Sequence, residues 1–281
     1  MLGVTKKKNK NIGMKKAKVF LDTNVLLKSF LSYRRFKDGE LDKSKMPFYM
    51  IDNEADKYTF EKCVYEAYLA FRGIGGKKPD EGRGDWANRF LKKLDDPDSI
   101  SKLISKYHGD NKGYAFYWVN QIEGVSPQSM KEDLDYIKEE DKEDFKKEIK
   151  KLEDLKLQRD FFLNLCDDFN LMIKQFGIQV LPYVQIFGKI ESSNQLISFE
   201  SPSNLDTFVR RTAIPSEDFE IVFSAERIGA EIFVTDDKKL ITCSKSLGLN
   251  SFLSPAAFCT GEEYQEKKNQ WKTNNMIAKL K

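Results

Sequence analysis

Histidine is almost absent: the 281-residue chain has one, His108. Chemistry that needs a Ser-His or Cys-His pair, or a metal held by several imidazoles, has at most one ring to work with. The four cysteines, Cys63, Cys166, Cys243 and Cys259, are far apart and form no Cys-x-x-Cys pair. That argues against a thiolate zinc site and against a disulfide framework, and makes the reducing cytoplasm the expected location. No apolar run approaches the roughly 20 residues that a membrane-spanning helix needs, and the N-terminus lacks the apolar core of a secretory signal, so no membrane association is expected. Any catalysis falls to carboxylates.

What is present suits a globular chain with an ionic surface: 40% hydrophobic, 12% aromatic and 32% charged residues. The net charge of +3 is too small to identify a partner, but its distribution is uneven. The first 18 residues, MLGVTKKKNKNIGMKKAK, hold seven lysines and no acid. Such a stretch attracts phosphate in a salt-dependent way; a solvated tail with no partner is the simpler account.

Residues 1–16 read as this basic tail. Lys18 to Leu21 reads as a short buried strand and Val25 to Tyr33 as a helix, and a strand feeding a helix suggests a parallel α/β sheet. Pro47 to Asp52 (PFYMID) is expected to be a second strand, and Ala55 to Phe71 a helix. The rhythm breaks at Gly73, Gly75, Gly76, Gly82 and Gly84, which mark a loop without the spacing or the terminal Lys-Ser/Thr of a phosphate-binding loop. From Trp86 to about Met172 the pattern is helical and highly charged, with Met130, Leu134, Ile137, Phe145, Ile149, Leu152 and Leu155 recurring at helical spacing. One long helix or a helical pair fits, with its charges as a solvated face or, less economically, an oligomer interface. The α/β rhythm resumes with a strand at Gly177 to Leu181, a helix at Ser203 to Arg211, a helix at Pro215 to Gly229, a strand at Glu231 to Val234, a helix at Lys238 to Ser246 and a last strand at Ser251 to Leu253. The organisation expected is one α/β domain over 17–260, assembled from about 17–72 and 176–260, with a helical insertion at about 73–175. Residues 261–281 are expected to be a basic extension, helical at most in part.

The positions of the acids carry the functional reading. In open parallel sheets ligands bind beyond the carboxyl ends of the strands. Asp22 follows the first strand, and Asp236 and Asp237 follow the strand IFV and Thr235, so both sites are expected at one sheet edge if the two strands are parallel. Glu66 interrupts a largely apolar helix face beside Cys63, Ala67 and Ala70; a surface glutamate and an inward-facing acid account for it equally well. Asp218 stands in the first turn of a helix, where the helix dipole alone favours an acid. Clustered carboxylates raise one another's pKa, and a hard divalent cation removes that penalty.

These segments together resemble the PIN-domain nuclease family. VFLDTNVLL is similar to the family's opening strand and first acid, YTFEKCVYEAY to its second, with Glu66 in the matching place, and EDFEIVFSAERIGAEIFVTDDKKL to its closing half. The Thr-x-Asp spacing selects Asp237 over Asp236. The resemblance implies a three-layer α/β/α fold around a short parallel sheet, with Asp22, Glu66, Asp218 and Asp237 binding one or two Mg²⁺ or Mn²⁺ ions. It also implies cleavage of single-stranded or structured RNA to leave a 5′ phosphate, with Thr235 orienting the last acid and Asn24 supporting Asp22. The match covers about 17–72 and 176–258; minimal members of the family have no counterpart to the hundred residues between, which can serve as a homo-oligomer interface.

Two other readings compete. A haloacid-dehalogenase-type phosphatase also begins with a strand ending in Asp, but needs Asp-x-Asp, and here the second position is Asn24. A non-catalytic module of the same fold that binds RNA or protein would use the insertion and the lysine tail equally well.

Overall fold

The computed structural model describes residues 15–36, 43–71, 127–190, 197–199, 218–246 and 257–280. The tail to residue 14, the glycine-rich loop, His108 and the expected elements at 203–211 and 251–253 lie outside them.

Five strands form one parallel sheet: β1 (Ala17–Leu21), β2 (Ala55–Phe60), β3 (Ile178–Leu181), β6 (Ile232–Val234) and β7 (Ala257–Cys259), in the order β3-β2-β1-β6-β7. A two-stranded antiparallel ribbon, β4 (Gly188–Ile190) with β5 (Ile197–Phe199), stands apart. Flanking helices are α1 (Thr23–Phe36), α2 (Phe48–Ile51), α3 (Glu61–Phe71), α4 (Pro127–Asp133), α5 (Lys142–Gln175), α6 (Tyr183–Phe187), α7 (Phe219–Arg227), α8 (Lys238–Ser246) and α9 (Tyr264–Leu280). The expected α/β class with a parallel sheet is therefore observed. No helix among the described residues is long and apolar enough to cross a membrane.

β1 is buried almost throughout, as a central parallel strand must be. Its register with β6 and that of β6 with β7 align Phe20, Phe233 and Phe258. Their rings stack at 5.1 and 4.6 Å between centroids, an aromatic ladder that fixes the three strands. On α1, α3 and α5, Phe30, Phe71 and Phe169 meet edge-on or tilted at 5.1 to 5.5 Å. Leu165, Phe169 and Met172 of α5 are fully buried, so the last turns of this 34-residue helix belong to the core of the sheet domain. Its first turns instead carry exposed pairs such as Lys146–Glu143 and Lys147–Asp144.

Three expectations are corrected. Pro47 to Asp52 is not a strand: Pro47 O accepts the N–H groups of Met50 and Ile51 at 2.9 and 3.4 Å, and residues 48–51 form a helical turn. The second strand is Ala55–Phe60, the first part of the expected helix 55–71, which begins only at Glu61. Polar residues at its buried positions hide the strand pattern. Lys57 Nζ donates to Met50 O at 2.5 Å, and Thr59 Oγ1 donates to Leu21 O at 2.9 Å. The C-terminal segment, expected to be helical at most in part, forms the 17-residue helix α9, set against α2, β6 and β7. Its inward residues Tyr264, Lys268 and Trp271 are an aromatic, a cation and an aromatic, so no aliphatic stripe announces it. Lys268 is buried against Asp52, which also accepts the Tyr264 hydroxyl at 2.8 Å.

Candidate carboxylate site

The order β3-β2-β1-β6-β7 reverses direction of growth between β1 and β6, so the crevice at their carboxyl ends is the topological switch point of the sheet. Asp22 and Thr235, the residues that leave these two strands, stand there side by side. The Asp22 N–H continues the ladder to Val234 O at 3.1 Å, and the Thr235 N–H bonds Cys259 O at 3.0 Å. Helices α1, α3 and α8 all start at this edge, turning their electropositive N-termini toward it.

Asp22 is 7% exposed. Its Oδ1 accepts the Thr23 N–H at 2.7 Å; its Oδ2 accepts the Thr235 hydroxyl at 2.7 Å and the Asn24 amide at 3.0 Å. Asn24 is matched at both ends, since Nδ2 also reaches Thr235 Oγ1 and Oδ1 receives the Asp236 N–H at 2.9 Å. Despite these bonds, burial pushes the Asp22 carboxyl up from 3.8 to about 7, with the charges of Glu66 and Asp218 pushing the same way. Three acids from β1, α3 and the start of α7 thus share one electrostatic neighbourhood.

Glu66 faces inward: its Oε2 accepts the Thr23 hydroxyl at 2.6 Å, which links it through one residue to Asp22. Cys63, one turn earlier, is buried and its thiol is pushed up by burial and then by Asp22 and Glu66. Asp218 precedes α7 and makes no side-chain capping bond to that helix.

Asp236 and Asp237 are placed differently. The Asp237 carboxylate caps α8, accepting the N–H groups of Lys239 and Leu240 at 2.8 and 3.2 Å, and its own N–H bonds Thr235 Oγ1 at 3.0 Å. The Asp236 carboxylate pairs with Lys28 of α1 at 3.2 Å. Among the described residues no three His, Cys, Asp or Glu side chains stand close enough to enclose a metal ion. In donor chemistry, however, Asp22, Glu66 and Asp218 fit a hard cation. They are all oxygen ligands, and the desolvated Asp22 charge, repelled by Glu66 and Asp218, is one that a divalent ion neutralises.

Sequence reasoning misses two features of this edge. Thr23 bonds both Asp22 and Glu66, a role that the sequence does not signal although the residue lies between Asp22 and Asn24. Lys62 of α3 pairs with Glu220 of α7 at 3.1 Å, and Glu220 also accepts the Tyr183 hydroxyl at 2.5 Å. The spacing holds a clue, since Lys62 is one helical turn before Glu66 and Glu220 two residues after Asp218.

Compared with profiles of known protein families, with proteins of described function and with solved structures, the chain matches none.

Proposed function

We propose that the chain is a divalent-metal-dependent nuclease of the PIN-domain type, hydrolysing phosphodiester bonds in single-stranded or structured RNA. The observation that carries this reading is the buried Asp22 at the switch point, its carboxyl raised to about 7 by burial and by Glu66 and Asp218. A carboxylate in that position is costly unless a cation answers it. Asp22, Glu66 and Asp218 are the residues that would hold Mg²⁺ or Mn²⁺, with Asp237 as the fourth acid if it exchanges its capping role. The bound ion would supply positive charge to the scissile phosphate and acidify a water molecule.

The chain's own residues do the positioning. Thr235 and Asn24 hold Asp22 Oδ2, and Thr23 holds Oδ1 through its N–H and Glu66 through its hydroxyl. The three helix N-termini favour the approach of a phosphate. Purified protein should cut single-stranded RNA only with Mg²⁺ or Mn²⁺, and Asp22→Asn should abolish cutting while the circular dichroism spectrum is unchanged. Metal-independent cutting, or cutting by the variant, would sink the proposal.

A second reading, a PIN-like module that binds RNA or protein without cutting it, draws on one observation: the Asp237 carboxylate is engaged by α8. RNA binding with no cleavage under any divalent metal would select it. Hydrolysis of a small phosphomonoester would instead indicate a phosphatase.

A further inference from the structure

A cavity of about 290 Å³ opens at the amino end of the sheet, between the residues entering β1, the turn before β2 and one side of α9. Lys16 and Asp22 are six residues of mostly extended chain apart, which places the cavity about 20 Å from the carboxylate site.

Its lining combines three chemistries. Trp271 gives an aromatic surface. Lys15 and Lys16 stand at the mouth with side chains 71% and 53% exposed. Asn53, Glu54 and Asn275 supply amide and carboxylate groups. Glu54 is already answered by Lys268 and Lys272 at 3.3 and 2.5 Å, which hold its carboxyl below the usual range, so it stays an acceptor. The two lysines at the mouth are loosely held. Lys16 is 3.9 Å from Asp56, at the limit of an ion pair. Lys15 is 2.9 Å from Glu231, whose other oxygen accepts the Lys18 N–H at 2.6 Å and so keeps a partner when Lys15 turns away. Exposed pairs of this kind hold their partners weakly.

A flat aromatic for stacking, ammonium groups for phosphate and an acceptor for an exocyclic amine together match one nucleotide. The sequence just before Lys15 adds Lys6, Lys7, Lys8 and Lys10 with no acid, which favours a polyanionic strand over a free nucleotide. We propose that this cavity binds one nucleotide of a single nucleic-acid strand, with its base against Trp271 and its phosphates on Lys15 and Lys16. Such a site does not depend on the nuclease reading.

The test uses the 281-residue chain with Trp86→Phe and Trp118→Phe, which leaves Trp271 as its only indole, titrated with octa-adenylate in EDTA. Saturable quenching is expected, weakening with salt, and at least tenfold weaker with AMP. Adding Lys15→Ala and Lys16→Ala should weaken binding at least tenfold and flatten the log–log salt slope by about 1.4, or 0.7 per lost phosphate contact. Filter binding of wild type against the double lysine variant repeats the measurement without touching tryptophan. No quenching, or binding indifferent to the two lysines, overturns the site; AMP binding as tightly as the octamer overturns the strand and leaves a free-nucleotide pocket. EDTA silences metal-dependent cutting, so this outcome and that of the Asp22→Asn cleavage assay are read separately.

Discussion

Thr235 Oγ1 and Asp22 Oδ2 lie 2.7 Å apart across 213 residues of sequence, joined because β1 and β6 are parallel neighbours. The hydroxyl has one hydrogen, and it points at Asp22 because both other neighbours, Asn24 Nδ2 and the Asp237 N–H, are donors. Thr235→Ala removes that donor from a buried carboxylate, a loss of about 1–3 kcal/mol. The Asp22 pKa should rise further, read by carbon-13 NMR of labelled aspartate in metal-free protein, and the proposed metal-dependent cleavage should fall tenfold or more. Thr235→Ser keeps the donor and should recover most of both. An alanine variant with unchanged Asp22 titration would mean that the bond does not stabilise the ionised form.

Asp22 also sets a stability signature. Its folded pKa of about 7 is above the ordinary 3.8, so between those values the folded chain binds more protons than the unfolded one. The contribution of this group is therefore best at low pH and is lost as pH rises toward 7. Asp22→Asn carries no charge to bury. In EDTA at pH 8 the variant should be the more stable protein, by an amount on the order of a few kcal/mol, since each tenfold change in proton affinity is worth about 1.4 kcal/mol. At pH 4 the difference should vanish. Urea unfolding at both values measures it, and added Mn²⁺ should raise the stability of wild type alone. A variant less stable than wild type at pH 8 would show that the carboxylate is not strained by burial.

The α/β class was legible from short apolar runs followed by helical periodicity, most clearly at β1, where every residue after Lys18 is buried. The neighbourhood of Asp22 and Thr235 was legible because acids and a threonine directly follow two such strands. What escaped was written in polar side chains with interior partners. β2 hides Lys57 and Thr59 at buried positions, and their bonds to Met50 O and Leu21 O are invisible to a hydrophobic pattern. α9 hides Lys268 in the same way. Asp237 fits a strand-end ligand by spacing, but position alone does not distinguish a ligand from a helix cap, and the structure uses it as a cap.

The Asp52–Lys268 pair is the stronghold of that unexpected helix. Both side chains are nearly inaccessible, and burial of Asp52 is outweighed by the bonds from Lys268 and Tyr264, which hold its carboxyl below 3.8. Removing one partner leaves the other buried and charged. Lys268→Met should cost about 3–5 kcal/mol, and Asp52→Asn/Lys268→Met should recover part of it. Because the Asp52 pKa is depressed, its contribution is present above the ordinary carboxylate range and is lost as pH falls through the folded value. Denaturant curves of the variants at pH 7 and pH 3 check both the size and the sign. A single variant as stable as wild type would mean that α9 does not anchor the sheet.

Phe169 tests whether the end of the helical insertion belongs to the sheet domain. Its ring is fully buried and meets Phe30 and Phe71 at 5.5 Å each, so one α5 side chain closes the gap between α1 and α3. Phe169→Ala should cost about 3–5 kcal/mol, because the cavity is walled by α1, which directly follows Asp22, and by α3, which carries Glu66, and cannot collapse freely. Lys147→Ala, in an exposed pair near the start of the same helix, should leave stability nearly unchanged. If α5 were an appendage, the two changes would leave the unfolding of the sheet equally unaffected. If it is part of the core, Phe169→Ala lowers the midpoint of one cooperative transition, followed by Tyr fluorescence and far-ultraviolet circular dichroism together. The same variant should weaken the proposed metal-dependent cleavage at temperatures where wild type is still folded, since α3 would lose the packing that holds Glu66 toward Thr23.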